Sequence, residues 1–315
     1  MSGQAKTINF HRIRNGLAWR SQVFLGRAKH ILALCKGYWA LLLTGIYRLF
    51  PPKSHPHKLD RQVIISLTSY PPRFKTLPLT LASLCAQKIR PDRIILWIEK
   101  TDEGQLPQSV KDFASRGVEI RLYENPKGQD IGPYRKIIPA LETFPDACIV
   151  TADDDCYYDP HWLETLLREW NGTKEMLVAH RTHLPTTDEQ GNLSPYFQWS
   201  LQIEGPKEDK RLFVTGCGGV LYPPGSLHPD VLDQDLFMTL CPRADDLWLN
   251  WMAWRQGCLI RKTNYKSGVT NWPSSQDVNL FNENYTQGDN DRKIQALIEH
   301  FGWPLTQNEP SNTKT

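Results

Sequence analysis

The order of apolar and polar stretches predicts strands that alternate with helices in the first part of the folded region. Apolar runs typical of buried strands occupy 63–69, 93–99, 118–124 and 147–152. Segments with helical periodicity lie between them, at 76–87, 106–117 and 134–144, and Pro139 is expected to shorten or kink the last of these. Strands and helices that alternate at this spacing favour an α/β fold with a parallel sheet.

Beyond residue 156 the pattern is less regular. Helices are predicted at 160–170, 244–257 and 290–302, and strands at 176–183, at 196–203 and on both sides of a glycine turn in 211–224. The Pro- and His-rich stretch 51–58 is typical of a linker, and the polar stretch 303–315 is expected to be a disordered tail. We therefore predict an N-terminal segment (1–59), a folded domain (60–302) and a tail (303–315).

The charge of the chain is unevenly distributed. With 315 residues, of which 40% are hydrophobic and 23% charged, the composition is that of an ordinary globular protein. The first 59 residues contain ten of the 37 Lys and Arg residues and none of the 34 Asp and Glu residues, so the remainder has a formal net charge of −7. A basic leader on a mildly acidic body indicates an anionic partner for the leader.

The leader also contains an almost wholly apolar stretch, 31–50, in which Lys36 and Gly37 are the interruptions. Its length would suffice to cross a bilayer, but a Lys near the middle favours a helix that lies in the headgroup layer. A single span and a helix packed on its own domain are the alternatives. We predict a membrane surface as the partner of residues 1–50. Nucleic acid is not expected, because no basic, aromatic-interleaved stretch continues into the body.

The cysteines and histidines give no metal or disulfide framework. The seven cysteines are scattered and none forms a CxxC pair, so reduced thiols in a cytosolic setting are expected. His180 and His183 leave a predicted strand, where a structural role is expected rather than metal ligation.

Three consecutive aspartates, Asp153, Asp154 and Asp155, directly follow the fourth predicted strand. In parallel sheets, ligands bind outside the carboxyl ends of the strands. Carboxylates there can converge on one divalent cation, which would neutralise a diphosphate leaving group. The alternative interpretation is an acidic loop or the start of a helix.

A second acidic pair, Asp245 and Asp246, begins the predicted helix 244–257. One acid suffices as a helix cap, so the other can orient or deprotonate an acceptor hydroxyl. Trp248 lies one turn further, where it is expected either to pack in the core or to stack on a sugar ring. The turn at Gly216, Gly218 and Gly219 would let the backbone approach a ligand closely, although such turns are common between strands.

Two further motifs, 68–74 and 130–136, supply hydroxyls and the cations Arg73, Arg135 and Lys136 near strand ends. Such groups suit phosphates or a base, and exposed surface charge is the alternative. Taken in order, "ISLTSYPPR", "DIGPYRKIIPAL", "TADDD", "TGCGGVLYPP" and "ADDLW" resemble GT-A nucleotide-sugar glycosyltransferases. These motifs resemble those of bacterial capsule and lipopolysaccharide-cluster enzymes and, more distantly, those of exostosin-like transferases.

The resemblance covers roughly residues 62–260 and implies a GT-A fold over the 60–302 domain. This fold has a Rossmann-like nucleotide-binding half with a mostly parallel central sheet, merged with an acceptor-binding half; a basic, apolar N-terminal helix would precede it. The implied cofactor is Mn²⁺ or Mg²⁺, bound by Asp155 and Asp153. The implied donor nucleotide site consists of Thr68, Tyr70, Arg73, Tyr134, Arg135, Lys136, Asp153 and Asp154.

On the sugar side, the resemblance implies that Gly218 and Gly219 line the acceptor side of the donor sugar and that the acidic pair Asp245 and Asp246 lies at the reaction centre. Asp246 is expected to face the reacting atoms. It would be the general base of an inverting enzyme or would stabilise positive charge on the sugar in a retaining one. The sequence has Gly132, Pro133 and Arg135 where the bacterial pattern more often has Ser and Lys.

The predicted function is metal-dependent transfer of a sugar from a nucleoside-diphosphate donor, with a UDP-sugar favoured. The acceptor would be a hydroxyl of a surface polysaccharide or a lipid-linked glycan. A sugar-1-phosphate transferase of capsule biosynthesis and a non-catalytic carbohydrate-binding domain are the alternatives. The predicted location is the cytoplasmic face of the inner membrane, or a Golgi type II arrangement if residues 31–50 span the membrane.

Overall fold

An eight-stranded sheet forms the centre of the computed structural model, which describes residues 31–266, 268–273, 275 and 288–305. The strands, numbered in chain order, are β1 (Val63–Ser69), β2 (Arg93–Glu99), β3 (Val118–Tyr123), β4 (Cys148–Thr151), β5 (Met176–Ala179), β6 (Lys207–Asp209), β7 (Val220–Tyr222) and β8 (Leu259–Lys262). Their order across the sheet is β6-β8-β5-β7-β4-β1-β2-β3.

The half of the sheet that contains β1 to β4 is parallel. β1 pairs with β2 and β4, and β2 pairs with β3, all in parallel. β7 is antiparallel to β4 and β5, β8 is parallel to β5, and β6 is an antiparallel edge strand. The prediction of a mostly parallel sheet is confirmed. Since β1 and β4 are neighbours, the segments that follow them meet at one edge of the sheet, where ligands bind in such folds.

Helices cover both faces of the sheet. They are α1 (31–49), α2 (Leu77–Leu84), α3 (Gln108–Lys111), α4 (Ile138–Thr143), α5 (Trp162–Glu169), α6 (Gln234–Leu240), α7 (Asp245–Arg255) and α8 (Asp289–Phe301). The predicted helix 106–117 is α3 followed by the 3₁₀ turn Asp112–Arg116, and it ends at Gly117 with φ 88°. Pro139 lies in the first turn of α4, where its missing N–H is not needed.

β1 shows why the strands are so apolar. Val63, Ile65 and Leu67 pack in one core cluster, while Ile64 lies in a second cluster on the opposite face. A strand buried on both faces has no polar alternation, which is the pattern that the sequence shows. A third cluster, built around α7 and α8, fills the space between these helices and β5 and β7.

Two predicted strands differ in the structure. The predicted strand 176–183 is divided: β5 ends at Ala179, and Thr182–His183 pairs with Phe213–Val214 in a separate two-stranded sheet. The predicted strand 196–203 is wrong, because its start is the 3₁₀ turn Tyr196–Gln198. The apolar character of this segment reflects core packing and not strand pairing, since Trp199 is buried against Phe213.

Two more two-stranded pairs complete the described strands: His55–Pro56 with Ile89–Arg90, and Cys156–Tyr157 with Thr270–Asn271. At the C-terminal end, Trp303 packs against Trp251 and Trp254, so the start of the predicted tail contacts the core. The rest of that predicted tail, 306–315, lies outside the described residues, as do residues 1–30 of the leader.

α1 lies against the folded domain along one narrow side, where Gly37, Ala40 and Thr44 are buried. A Cβ atom at Gly37 would lie 3.1 Å from the carbonyl oxygen of Asn271 and 3.2 Å from the ring of Pro273. Within the part of the chain that the structure describes, no helix has both the length and the apolar character needed to cross a membrane.

Candidate active site

A cleft of about 1060 Å³ opens at the carboxyl ends of β1 and β4 and reaches the start of α7. Most of the sequence-predicted site residues line it: Thr68, Tyr70, Arg73, Arg135, Lys136, Asp153, Asp154, Asp155, Asp245 and Asp246. These residues come from segments separated by up to 178 positions, and the parallel sheet brings them together at one edge.

The aspartate loop after β4 is fixed by hydrogen bonds to its backbone. The N–H of Asp153 donates to the Tyr158 hydroxyl over 2.7 Å, and the Thr80 hydroxyl donates to the carbonyl of Asp154 over 2.8 Å. The N–H of Trp272 donates to the carbonyl of Asp155 over 3.1 Å. These bonds fix the backbone of the loop, and its three aspartates line the cleft.

Asp155 pairs with Arg73, a cation from the turn that follows β1. The distance from Arg73 Nη1 to Asp155 Oδ2 is 2.6 Å, and both side chains are largely buried. Burial lowers the pKa of Arg73, but the carboxylates of Asp155 and Asp154 outweigh it and the net shift is upward. The sequence motif that was expected to contact the nucleotide therefore also holds an aspartate of the loop.

Asp154 occupies the most enclosed position of the three. Its Oδ2 accepts a hydrogen bond of 2.5 Å from the Ser69 hydroxyl at the end of β1. Burial and the neighbouring Asp155 raise its pKa to about 7, although Ser69 and Arg73 oppose that rise. Asp154 is thus tied to β1, while Asp155 is held by the following turn.

Lys136 connects the two acidic groups of the cleft. Its Nζ lies 3.0 Å from Asp153 Oδ1 and 2.9 Å from Asp245 Oδ2, and the side chain is buried. Burial lowers the pKa of Lys136, but Asp153, Asp245 and Asp246 raise it well above the usual value, so the amine stays charged. A buried cation among three acids compensates part of their mutual repulsion.

Asp246 is held by the glycine turn. Its Oδ1 accepts a hydrogen bond of 2.8 Å from the N–H of Gly216. Burial and the adjacent Asp245 raise its pKa to about 7, against the lowering effect of Lys136. A carboxyl group that titrates near neutrality is suited to accept a proton from a hydroxyl.

The structure corrects two of the predicted contacts. Trp248 is fully buried, donates from Nε1 to the carbonyl of Val231 over 3.1 Å and packs against Phe237 and Phe301, so no ring face is offered to a sugar. Tyr134 is fully buried as well: its ring stacks on Phe237 and its hydroxyl donates to the carbonyl of Cys241. Both aromatic side chains belong to the core beneath the cleft.

Gly218 and Gly219 also lie outside the cleft lining. The carbonyl of Gly218 accepts a hydrogen bond of 2.6 Å from Trp162 Nε1. Gly219 has φ 103°, and a Cβ there would lie 2.5 Å from the Trp162 ring. These two glycines therefore allow the turn to pack on Trp162, and the glycine that meets the acids of the site is Gly216.

Sequence reasoning missed several cleft residues. Ser69, Arg181, Thr215 and Arg243 line it, and Arg181 Nη1 donates to the Thr215 hydroxyl over 3.1 Å. The hydroxyls of "TSY" and "TG" within the quoted motifs were the available signal for Ser69 and Thr215. Nothing local in the sequence distinguishes Arg181 and Arg243 from surface cations.

His180 has a structural role, as expected. It is buried between the Thr263 hydroxyl and the carbonyl of Trp162, and burial lowers its pKa to about 3. His183 is buried too, and burial lowers its pKa to about 4. Its Nδ1 accepts a hydrogen bond from the N–H of Gln202.

The donor set of the aspartate loop fits a hard divalent cation. Asp153 and Asp155 offer carboxylate oxygens, the ligands that Mg²⁺ and Mn²⁺ prefer. Asp153 meets Lys136 through Oδ1, and its carboxylate has a second oxygen for a further ligand. One ligand atom each from Asp153, Cys156 and Cys217 also lies within 4.8 Å of the other two, which adds softer thiol donors beside the carboxylates.

In a comparison with known protein families, residues 64–219 match the model described as glycosyl transferase family 2. None of the curated proteins matches the chain. A solved structure that resembles it is glucosyl-3-phosphoglycerate synthase from Mycobacterium tuberculosis, in complex with Mn²⁺, uridine diphosphate and glucosyl-3-phosphoglycerate. The sequences are 15% identical, and the match covers 41% of this chain and 51% of that chain with a TM-score of 0.29. The chain thus spans about half the length of that structure.

Proposed function

We propose that this protein, whose residues 64–219 match the glycosyl transferase family 2 model, transfers a sugar from a nucleoside-diphosphate donor to a hydroxyl group. A UDP-sugar is the favoured donor. The favoured acceptor is a surface polysaccharide or a lipid-linked glycan, and we propose the cytoplasmic face of the inner membrane as the place of reaction.

The observation that carries this proposal is the meeting of two acidic groups in one cleft. Asp153–Asp155 follow β4, while Asp245 and Asp246 begin α7, and Lys136 Nζ contacts one acid of each group. A transferase needs one group of residues for the diphosphate and another at the reacting sugar carbon, at a short distance from each other. The two acidic groups meet this requirement.

Asp155 and Asp153 are the residues that we propose hold Mn²⁺ or Mg²⁺. When bound, the cation would supply positive charge to the diphosphate leaving group. The chain's own cations in the cleft, Arg73, Arg181 and Arg243, complement the same anionic group. Asp154, bonded to Ser69, orients the loop relative to β1.

We assign proton acceptance to Asp246. Its pKa of about 7 leaves a substantial fraction ionised at neutral pH, and the Gly216 N–H fixes one of its oxygens. The acceptor hydroxyl would give its proton to Asp246 as its oxygen attacks the sugar carbon, while the carbon–oxygen bond to the diphosphate breaks. Asp245, whose carboxylate contacts Lys136, lies directly beside this base in the chain.

Turnover of a panel of UDP- and GDP-sugars in the presence of Mn²⁺ tests the proposal. We expect released nucleoside diphosphate, loss of turnover with a chelator, and recovery on adding Mn²⁺ or Mg²⁺. Asp155→Asn should lower turnover at least about 100-fold, because a carboxylate ligand is lost. Asp235→Asn, at an aspartate whose side chain is 79% exposed, is the matched control.

The competing functions predict different outcomes. A sugar-1-phosphate transferase would leave a phosphodiester in the product, which phosphorus NMR detects. A carbohydrate-binding domain would bind glycan without nucleotide and would show no turnover with any donor. Undiminished turnover in Asp155→Asn would contradict the role that we give to the aspartate loop.

A further inference from the structure

α1 has two opposite sides of very different character. Gly37, Ala40 and Thr44, spaced by three and four positions, form the buried side on the folded domain. The opposite side contains Ile31, Tyr38, Leu42 and Leu49. Their spacings of seven, four and seven positions place them on one face of a helix with 3.6 residues per turn.

That opposite side and its flanks are exposed. Large apolar side chains that are at least 39% exposed occur nine times between residues 31 and 50: Ile31, Leu32, Leu34, Tyr38, Trp39, Leu42, Ile46, Leu49 and Phe50. Elsewhere in the described residues, exposed large apolar side chains are scattered singly or in small numbers. A continuous apolar face of this kind marks an interaction surface.

The charge of the leader indicates what covers this face. Between Met1 and Leu59 there are ten basic residues and no acidic one, and the described helix contributes Lys36 and Arg48. On the helical wheel of α1, Lys36 and Arg48 both lie closer to the buried side than to the exposed Tyr38–Leu42 side. The exposed side itself contains no charged residue. Apolar and aromatic residues that face away from the domain, with flanking cations, suit an anionic lipid surface.

We propose that α1 is an interfacial membrane helix, which inserts its Tyr38–Leu42–Leu49 face into the headgroup region of an anionic bilayer. The buried side of α1, formed by Gly37, Ala40 and Thr44, joins this anchor to the folded domain. Gly37 packs against Asn271 and Pro273, and the intervening Trp272 donates its N–H to the carbonyl of Asp155. The anchor therefore contacts the segment that supports the aspartate loop.

Sedimentation of the full chain with vesicles tests this proposal. Wild type is expected to sediment with vesicles of phosphatidylcholine and phosphatidylglycerol, and less with phosphatidylcholine alone or at high salt. Leu42→Glu and Leu49→Glu are each expected to lower the partition coefficient at least about tenfold, since each places a charge in the inserted face. Leu232→Glu is the matched control, because Leu232 is 40% exposed but far from α1 in sequence, and it should bind as wild type does.

Neither α1 variant removes a buried contact, so their thermal unfolding should match that of wild type, which separates lost binding from lost folding. Wild type that stays in the supernatant with anionic vesicles would overturn the proposal, as would equal binding by the Leu42 and Leu49 variants. Light scattering gives a further outcome: a dimer that these variants dissociate would show that a second copy covers the face, and would overturn lipid as its partner.

Discussion

The ammonium nitrogen of Lys136 lies 2.9 Å from Asp245 Oδ2, which joins the turn before α4 to the first residue of α7. The same nitrogen contacts Asp153 on the loop after β4. One buried cation thus holds together an acid of the group that we propose binds the diphosphate and an acid of the group that we propose acts on the reacting sugar. The relationship suggests that Lys136 organises the cleft as well as contributing charge to it.

Replacing Lys136 by Met is expected to destabilise the fold and to abolish most activity. Removing one partner of a buried ion pair leaves uncompensated charge and costs about 3–5 kcal/mol of unfolding free energy. Lys127→Met removes an exposed pair with Asp235, 2.6 Å apart, and should cost about 0–1 kcal/mol. Urea denaturation of both variants measures the difference. Equal midpoints for the two would contradict a central structural role for Lys136.

The activity of the wild-type enzyme is expected to rise as the pH passes upward through about 7, where Asp246 loses its proton. Asp246→Asn should lower kcat at least about 100-fold and remove this limb of the pH profile. Asp154 also titrates near pH 7, so Asp154→Asn is the control, and its residual activity should keep the limb. A limb that survives in Asp246→Asn would assign the titration elsewhere.

The same raised pKa predicts the pH dependence of stability. Asp246 binds its proton more tightly in the folded than in the unfolded state, whose pKa is near 3.8. The free energy of unfolding that this proton contributes is fully present below the pKa of the unfolded state, and it is lost as the pH rises through about 7. Asp246→Asn should therefore be more stable than wild type at alkaline pH and lose that advantage in acid. Thermal unfolding across the pH range measures this, and a constant difference would contradict it.

Gly216→Ala is expected to lower activity through a steric contact. An added Cβ would lie 2.8 Å from Asp246 Oδ1 and 3.0 Å from Lys136 Nζ, so the acid or the amine must move. We expect at least about a tenfold loss of kcat/KM, since a small displacement of reacting groups is costly. Gly104→Ala, which meets nothing within 4 Å, is the matched control. Equal kinetics for both variants would show that the contact does not matter.

Much of the fold could be predicted from the sequence, because strands buried on both faces leave continuous apolar runs, as in β1 and β2. The location of Asp153–Asp155 at the edge of the sheet was also predictable, since these residues come directly after the continuous apolar run of β4. The strand predicted at 196–203 was wrong because aromatic residues that pack in the core give a segment the same apolar pattern as a strand, even though the segment pairs with no other strand over its first turn. In this case Trp199 is buried against Phe213.

The contacts that sequence reasoning missed or misplaced are those between distant positions. Gly216 meets Asp246 across 30 positions, and no local pattern distinguishes it from Gly218 and Gly219. Trp248 lies one turn beyond two site acids, but the direction of its ring depends on how α7 packs against α8 and α6. A helix that is buried on nearly all sides gives no sign of which of its residues face the cleft.

A pair of aromatic substitutions tests this correction. Truncation of a buried Trp to Ala costs about 3–5 kcal/mol of unfolding free energy. Trp248→Leu should lower the unfolding free energy by somewhat less, because Leu fills part of the space of the fully buried ring although the hydrogen bond to the Val231 carbonyl is lost. Its KM values for donor and acceptor should stay near those of wild type when measured well below the melting temperature. Tyr70→Leu should do the opposite: Tyr70 lines the cleft and is 37% exposed, so KM should rise while stability changes little. A raised KM in Trp248→Leu with unchanged stability would restore the original prediction that Trp248 stacks on a sugar.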